Sequence, residues 1–463
     1  MLVCVLNGSP KGRMSVTMQF VKYLQIVFPS VKFEILDIAA HIARIERSAD
    51  EFAKVIDSVR QADAVLFAFP VYFFLVPSQY KRFIELVFEK NAADAFFNKP
   101  SASLSTSVHI VDHTAHNYIS GIAQDFGTRF FGAYSADMED LLKKTERKNL
   151  ETFFGAFATA VKNIEPAPRL SLPLKDAKRV YKPGAVRQRI GLEQKKLLVV
   201  ADRREEGSNL DKMIARFAAC LDGAAEIAYI DEIGVKTGCS GCIGCHYDNR
   251  CRFDSSDGFR DFYENRVKKA DILVYCGKMH DRYLSSLWKR FIDRTFYNGH
   301  VPTLTGKQVG WIVSGPLSGE RNLVQLLNSY TRLMDANPVM LISDEYKSSE
   351  IDALIETLAA RLVLFAKSNF VSPPDFIPTG VLNTFRNEIA GRLNFVFRAD
   401  HRTYKKRGYY KIPQKGLRSR LLSLSIGPML LVPAFRKQFS KRIPREMVRP
   451  YEPVLALEKF KRR

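Results

Sequence analysis

The sequence predicts an α/β protein built from two doubly wound parallel sheets in tandem, followed by a basic C-terminal extension. Three observations carry this. Short apolar runs alternate with amphipathic helical segments, the pattern of parallel βαβ units. The second half of the chain repeats landmarks of the first. A Pro-rich, basic stretch separates the halves.

The repeat is explicit. Gln79-Tyr80-Lys81-Arg82-Phe83-Ile84 aligns with Leu287-Trp288-Lys289-Arg290-Phe291-Ile292, sharing KRFI at an offset of 208. Ala62-Asp63-Ala64-Val65-Leu66 aligns with Ala270-Asp271-Ile272-Leu273-Val274 at the same offset. Ser15-Val16-Thr17 aligns with Ser208-Asn209-Leu210 at an offset of 193. The offset therefore grows by 15 between these anchors, as if a loop were inserted in the second copy.

Each copy opens with an apolar strand, Leu2 to Leu6 and Leu197 to Val200, followed by a loop and a helix. A second strand follows, Phe33 to Leu36 and Glu226 to Tyr229, then a helix and the buried strand after Ala-Asp. The predicted organisation is 1–164 for the first domain, 165–196 for a linker, 197–370 for the second domain and 371–463 for the extension. Pro166, Pro168, Pro173 and Pro183 mark the linker.

Length and composition suit a protein with two or three cores. No apolar run reaches the roughly 18 residues that span a bilayer. The start, MLVCVLNGSP, has neither a basic leader nor a cleavage site, so the expected compartment is the cytoplasm. The charge is uneven. Residues 375–463 hold 21 Lys and Arg against 6 Asp and Glu, which accounts for 15 of the net +21 charges.

The inserted loop carries the densest chemistry. Cys239, Cys242, Cys245 and Cys251 are four of the seven cysteines, spaced C-x2-C-x2-C-x5-C. Thiolates this close converge on a soft cation, and an iron–sulfur cluster, above all [4Fe–4S], is the leading expectation. A structural zinc ion is the alternative, although zinc ligands more often come as two separated C-x2-C pairs. A site without metal is the third reading. Cys4, Cys220 and Cys276 sit in apolar surroundings and read as core thiols.

The loop after the first strand reads Asn7-Gly8-Ser9-Pro10-Lys11-Gly12-Arg13-Met14-Ser15-Val16-Thr17 and opens a helix. Helix N-terminal amides bind phosphate. Ser9, Ser15 and Thr17 add hydroxyls, and Lys11 and Arg13 add charge. It is neither a Walker A loop nor GxGxxG. After the third strand come Phe69-Pro70-Val71-Tyr72-Phe73-Phe74. Ligands of an open parallel sheet sit beyond the carboxyl ends of its strands, where these aromatics could wall a flat ring. His109, His113 and His116 follow the fourth strand; flavin or substrate contacts or surface exposure are expected of them ahead of a metal site.

These residues resemble a known family. GSPKGRMSVT is similar to the phosphate loop of NADPH-dependent FMN reductases and flavodoxin-like quinone reductases. ADAVLFAFPVYFFLVPSQYKRFIE resembles their strand, PVYF turn and following helix. The cysteine spacing resembles that of iron–sulfur flavoproteins. The resemblance implies two flavodoxin-like domains, with Ser9, Lys11, Ser15 and Thr17 on an FMN phosphate. It implies Pro70, Val71, Tyr72 and Phe73 along the isoalloxazine, and a loop from Thr106 to His109 closing over it. Tyr72 and His109 are the candidate proton donors, and NAD(P)H or a ferredoxin-like protein is the candidate electron donor.

The second copy departs from the pattern. Its phosphate loop, Asp202-Arg203-Arg204-Glu205-Glu206-Gly207-Ser208-Asn209, carries acids that repel phosphate. Its counterpart of PVYF is Lys278-Met279-His280-Asp281. The expectation is divided labour within an internal pseudo-dimer, with flavin in the first half facing a cluster in the second; further oligomerisation is compatible with it. The expected activity passes electrons from the donor to a small organic acceptor such as a quinone or enone. The rival readings are a non-catalytic electron carrier or redox sensor, and a plain FMN reductase with structural zinc. Basic residues flanking the apolar stretch Leu421 to Phe435 leave two equal readings of the extension, an anionic membrane surface as its partner or a strap packed on the core with its charges solvated, both ahead of nucleic acid.

Overall fold

The computed structural model describes residues 1–174, 179–223, 225–391, 393–410, 428–429, 431–435 and 438. The first domain has strands β1 (Leu2–Asn7), β2 (Lys32–Leu36), β3 (Ala64–Pro70), β4 (Pro100–Ser107) and β5 (Arg129–Asp137). Its helices are α1 (Val16–Val27), α2 (Ile42–Arg47), α3 (Ala49–Gln61), α4 (Ser78–Glu89), α5 (His113–Asp125) and α6 (Lys144–Lys162). The linker contributes β6 (Ile190–Gly191), which pairs with β8 (Leu221–Asp222). The second domain has β7 (Leu197–Ala201), β9 (Glu226–Tyr229), β10 (Ile272–Lys278), β11 (Gln308–Ser314) and β12 (Asn337–Ser343). Helices α7 (Asn209–Ala219), α8 (Phe259–Asn265), α9 (Ser286–Arg294), α10 (Arg321–Leu333) and α11 (Ser348–Lys367) accompany them.

Both sheets are parallel and five-stranded, ordered β2-β1-β3-β4-β5 and β9-β7-β10-β11-β12. Counted within each domain this is the same 2-1-3-4-5 order, the flavodoxin-like winding. Strand alternation sorts the core into layers. Val3 and Val5 of β1 pack with Met18, Phe20 and Leu24 of α1 and Phe154 and Phe157 of α6. Cys4 and Leu6 point the other way, into an apolar core shared by α3, α4 and α5 with α8, α9 and α10. A third core lies between the outer face of the second sheet, α7 and α11. Helix starts follow the sequence: Ser15 and Ser208, aligned in the repeat, cap α1 and α7 through their side chains.

The domains meet through α4 and α9, which carry the KRFI segments. The Ser78 amide donates to Asp293 at 2.7 Å, and the Ser286 amide donates to Glu85 at 2.6 Å. Lys81 bonds Glu85 at 2.8 Å and reaches across to Asp281 at 2.9 Å. Lys289 pairs with Asp293 and reaches across to the Tyr72 carbonyl at 2.9 Å. The serine contacts match across the junction, Ser78 with Asp293 and Ser286 with Glu85, whereas the two lysines reach different partners. Lys81, Glu85, Lys289 and Asp293, the ionic side chains that make these contacts from the two KRFI helices, are all buried.

The predicted boundary at 371 is not where the compact unit ends; that unit runs from Met1 to Tyr404. Helices α12 (Phe376–Ala390) and α13 (Arg398–Lys406) start within it. Val381 and Ile389 of α12 are buried, and the Tyr404 hydroxyl donates to the His300 carbonyl at 2.8 Å. Residues 405–463 form a second unit. The apolar stretch Leu421 to Phe435 and its basic flanks lie largely outside the described residues. Among the described residues no helix is long and apolar enough to cross a membrane.

Candidate functional site

A cavity of about 250 Å³ opens beyond the carboxyl ends of β1, β3 and β4, beside the point where the strand order reverses. Its floor at one end is the α1 loop, from which Lys11, Ser15, Val16 and Thr17 reach the wall. The α1 first turn has no acidic residue, so the helix N-terminus is open to an anion. Thr17 and Thr106 share a hydroxyl hydrogen bond of 2.7 Å that ties this loop to β4. Ser9 is buried beneath the loop, its hydroxyl accepting the Lys11 amide at 3.3 Å. Arg13 turns outward to Asp37 at 2.9 Å and the Ile35 carbonyl at 2.8 Å. Neither Ser9 nor Arg13 reaches the cavity wall.

Pro70, Val71, Tyr72, Phe73 and Phe74 form the opposite wall, joined by Thr106, Ser107 and Val108. The turn is tight: Tyr72 and Leu75 exchange backbone hydrogen bonds of 2.7 and 3.1 Å. Phe73 and Phe74 take φ of 40° and 67°, a costly backbone for such side chains. The sequence implied this wall. It did not signal that the second domain completes it with Phe296, Gly299, His300, Val301, Leu333 and Met334. Phe385, Glu388, Leu393 and Phe397, from the supposed tail, close the far side.

Of the candidate proton donors, Tyr72 is in the wall. Burial first, then Cys239, hold its phenol well above the usual range. His109 lies instead in a neighbouring depression with Asp137, Glu139 and Asp140, bonded to Asp112 at 2.9 Å. The three histidines of the post-strand segment part company. His113 meets Gln325, and His116 is buried between Ser103 and Ser105.

The cysteine loop abuts the same wall. Gly241 touches the Tyr72 hydroxyl so closely that a Cβ there would strike it. The loop is pinned from both domains: Gln79 donates to the Cys239 carbonyl at 3.3 Å, and Arg294 to the Thr237 carbonyl at 3.3 Å. Cys239, Cys242, Cys245 and Cys251 line one small hollow with Arg294 and Tyr297, and none forms a disulfide. Backbone amides of Gly241 and Gly244 point at the Cys239 and Cys242 sulfurs at 3.4 and 3.5 Å. Burial pushes the Cys239 thiol up to about 12 and the Cys245 thiol up to about 11. Ser240 Oγ and Arg294 Nε, both at this hollow, are buried without a hydrogen-bond partner. Among the described residues no three His, Cys, Asp or Glu side chains close on a single metal-ion position.

In the second domain the equivalent of the phosphate loop is filled by its own side chains. Asp202 is buried there, which raises its carboxyl to about 6. Lys278 pairs with Glu205 at 3.0 Å, and Asp344 accepts from Asn209 and Ser314 at 2.9 and 2.7 Å. The hollow left is about 10 Å³.

The strand order and the placing of this cavity define a flavodoxin-like protein. Residues 1–118, within the first domain, match the family model of NADPH-dependent FMN reductase. Solved structures it is similar to include FerB, a flavoenzyme NAD(P)H:(acceptor) oxidoreductase from Paracoccus denitrificans. That likeness has 21% identity and a TM-score of 0.30, covering 35% of this chain and 97% of that one. Another is the general stress protein 14 in complex with FMN from Treponema denticola, with 11% identity and a TM-score of 0.27, covering 35% and 99%. No curated protein sequence matches the chain.

Proposed function

We infer that the chain is an NAD(P)H-dependent FMN oxidoreductase whose two halves act as an internal pseudo-dimer, with a [4Fe–4S] cluster on the cysteine loop of the second half. Phe296 carries the reading. Its ring walls the cavity while its carbonyl accepts the Cys245 thiol at 3.7 Å, so one residue joins both sites.

The donor sets fit the two groups. Lys11, Ser15 and Thr17 would hold the FMN phosphate, and Pro70 to Phe73 the ring. Four free thiols, two inward amides and two unpartnered polar atoms suit a sulfur-rich, anionic group. When bound, FMN supplies two-electron hydride chemistry and the cluster single-electron transfer.

The chain's own residues prepare this chemistry. Lys289 fixes the Tyr72 carbonyl and so the pitch of the aromatic turn. Phe73 and Phe296 stack where the two sites adjoin. A small quinone is the class of acceptor that suits the apolar wall at Val301 and Leu333.

The test is reduction of a quinone by anaerobically purified protein given NADPH or NADH. The reading predicts quinone-dependent oxidation of the nicotinamide with FMN bound. FMN-loaded protein that neither nicotinamide reduces would contradict it.

A further inference from the structure

His300 is a residue that no motif flagged. It stands in the cavity wall, on the far side from the phosphate loop. Its Nδ1 meets the Asp400 carboxylate at 2.7 Å, and the same oxygen accepts the His300 amide at 3.2 Å. Asp400 is 1% exposed and belongs to α13, one hundred residues away in sequence. The preceding Gly299 has φ +67°, and any side chain there would strike the Asp400 carboxylate. Phe385 and Phe397 clamp the imidazole at centroid distances of 4.2 and 4.8 Å. Nε2 bonds to no described residue.

A carboxylate on one imidazole nitrogen fixes the ring and leaves the other nitrogen to act. Among the described residues the other charged groups on the cavity wall are Lys11 and Glu388. Around His300 the wall is apolar: Val301, Leu333, Phe385 and Phe397. A flat, weakly polar ring with a carbonyl oxygen suits this surface, whereas a charged acceptor would lose its water there.

We propose that His300, positioned by Asp400, is the proton donor to a quinone acceptor bound in this cavity, a role resting on the oxidoreductase reading above. The balance is as follows. NAD(P)H is the reductant and gives up one hydride, that is two electrons and one proton, which accounts for the first O–H bond of the hydroquinone. At the other end the Nε2–H bond breaks as the quinone oxygen gains its O–H bond. The N–H electron pair stays on the ring, and water returns the proton to His300. The products are hydroquinone and NAD(P)+.

The experiment compares FMN-loaded wild type, His300→Gln and Asp400→Asn with two acceptors. Menadione needs protons; ferricyanide takes single electrons and needs none. General acid catalysis contributes about 10²–10⁴-fold, so His300→Gln should slow menadione at least ~100-fold more than ferricyanide. Asp400→Asn should shift the ratio the same way by less. A second readout is equilibrium binding of 4-nitrophenol, whose absorption tells phenolate from phenol. Wild type should hold the phenolate and His300→Gln the phenol. Equal slowing of both acceptors, or nitrophenol bound alike by both proteins, would overturn the role of His300. Wild type that reduces neither acceptor would overturn the oxidoreductase reading and this proposal with it.

Discussion

Phe73 and Phe296 stack with ring centroids 4.1 Å apart and planes 28° from parallel. One comes from the turn after β3 and the other from just after α9, so the two domains build the cavity wall together. Tyr72 meets the same Phe296 edge-on at 5.3 Å. The consequence is that a flavin site in the first domain depends on the second. Aromatic pairs contribute about 0.5–1.5 kcal/mol beyond burial. Phe296→Ala should therefore weaken FMN roughly 2- to 10-fold in a fluorescence titration while the FMN-free protein keeps its helical signal.

Lys11 is the one basic side chain that the α1 loop sends into the cavity, since Arg13 is turned to Asp37. Bonds to charged groups contribute about 1.5–3 kcal/mol. Lys11→Ala should weaken FMN by roughly 10- to 100-fold and riboflavin hardly at all. Arg13→Ala should leave FMN affinity within about twofold of wild type. Titration of the apoprotein with both flavins checks this.

The junction of α4 and α9 buries charges that satisfy one another. The paired Lys81 and Ser286 bonds hold the Glu85 carboxyl down at about 2 against the cost of burial. Removing one member of such a network costs about 3–5 kcal/mol, because the remaining charge is stranded. Lys81→Met, which strands Glu85 and Asp281, should lose that much in urea unfolding. A surface change such as Lys54→Met should leave the urea unfolding midpoint essentially where it is in the wild type.

His116 is buried between Ser103 and Ser105 at 2.9 and 2.7 Å, and burial lowers its imidazole to about 4 from the ordinary 6.5. Below the ordinary value the unfolded chain binds a proton that the folded one refuses. Stability from this group is thus complete above about pH 6.5 and is lost as pH falls towards 4. The loss is on the order of 3 kcal/mol. His116→Gln should flatten this part of the stability–pH curve, measured by thermal unfolding across that range.

Much of this was legible. The KRFI repeat marked α4 and α9 as equivalent helices, but not that they meet, because the Lys and acid pairs that join them complete their bonding only across the junction. GSPKGRMSVT and the PVYF turn located two walls of the cavity. Individual roles were harder: Ser9 and Arg13 have the right chemistry, yet one is buried under the loop and the other is claimed by Asp37. Phe296, His300 and Asp400 carry no local pattern, since their partners come from elements far apart in sequence. The basic composition after residue 371 left docking on the core and contact with a membrane as equal readings, and α12 docks by Val381 and Ile389.

The central claim is that flavin and cluster sit side by side in one chain. Counting FMN, iron and zinc per chain in protein purified without oxygen tests it most directly. The account predicts one FMN and about four irons, with the iron lost in Cys242→Ser and the FMN retained. FMN with stoichiometric zinc, or FMN with no metal, would contradict the account and leave the cysteine loop a structural clasp.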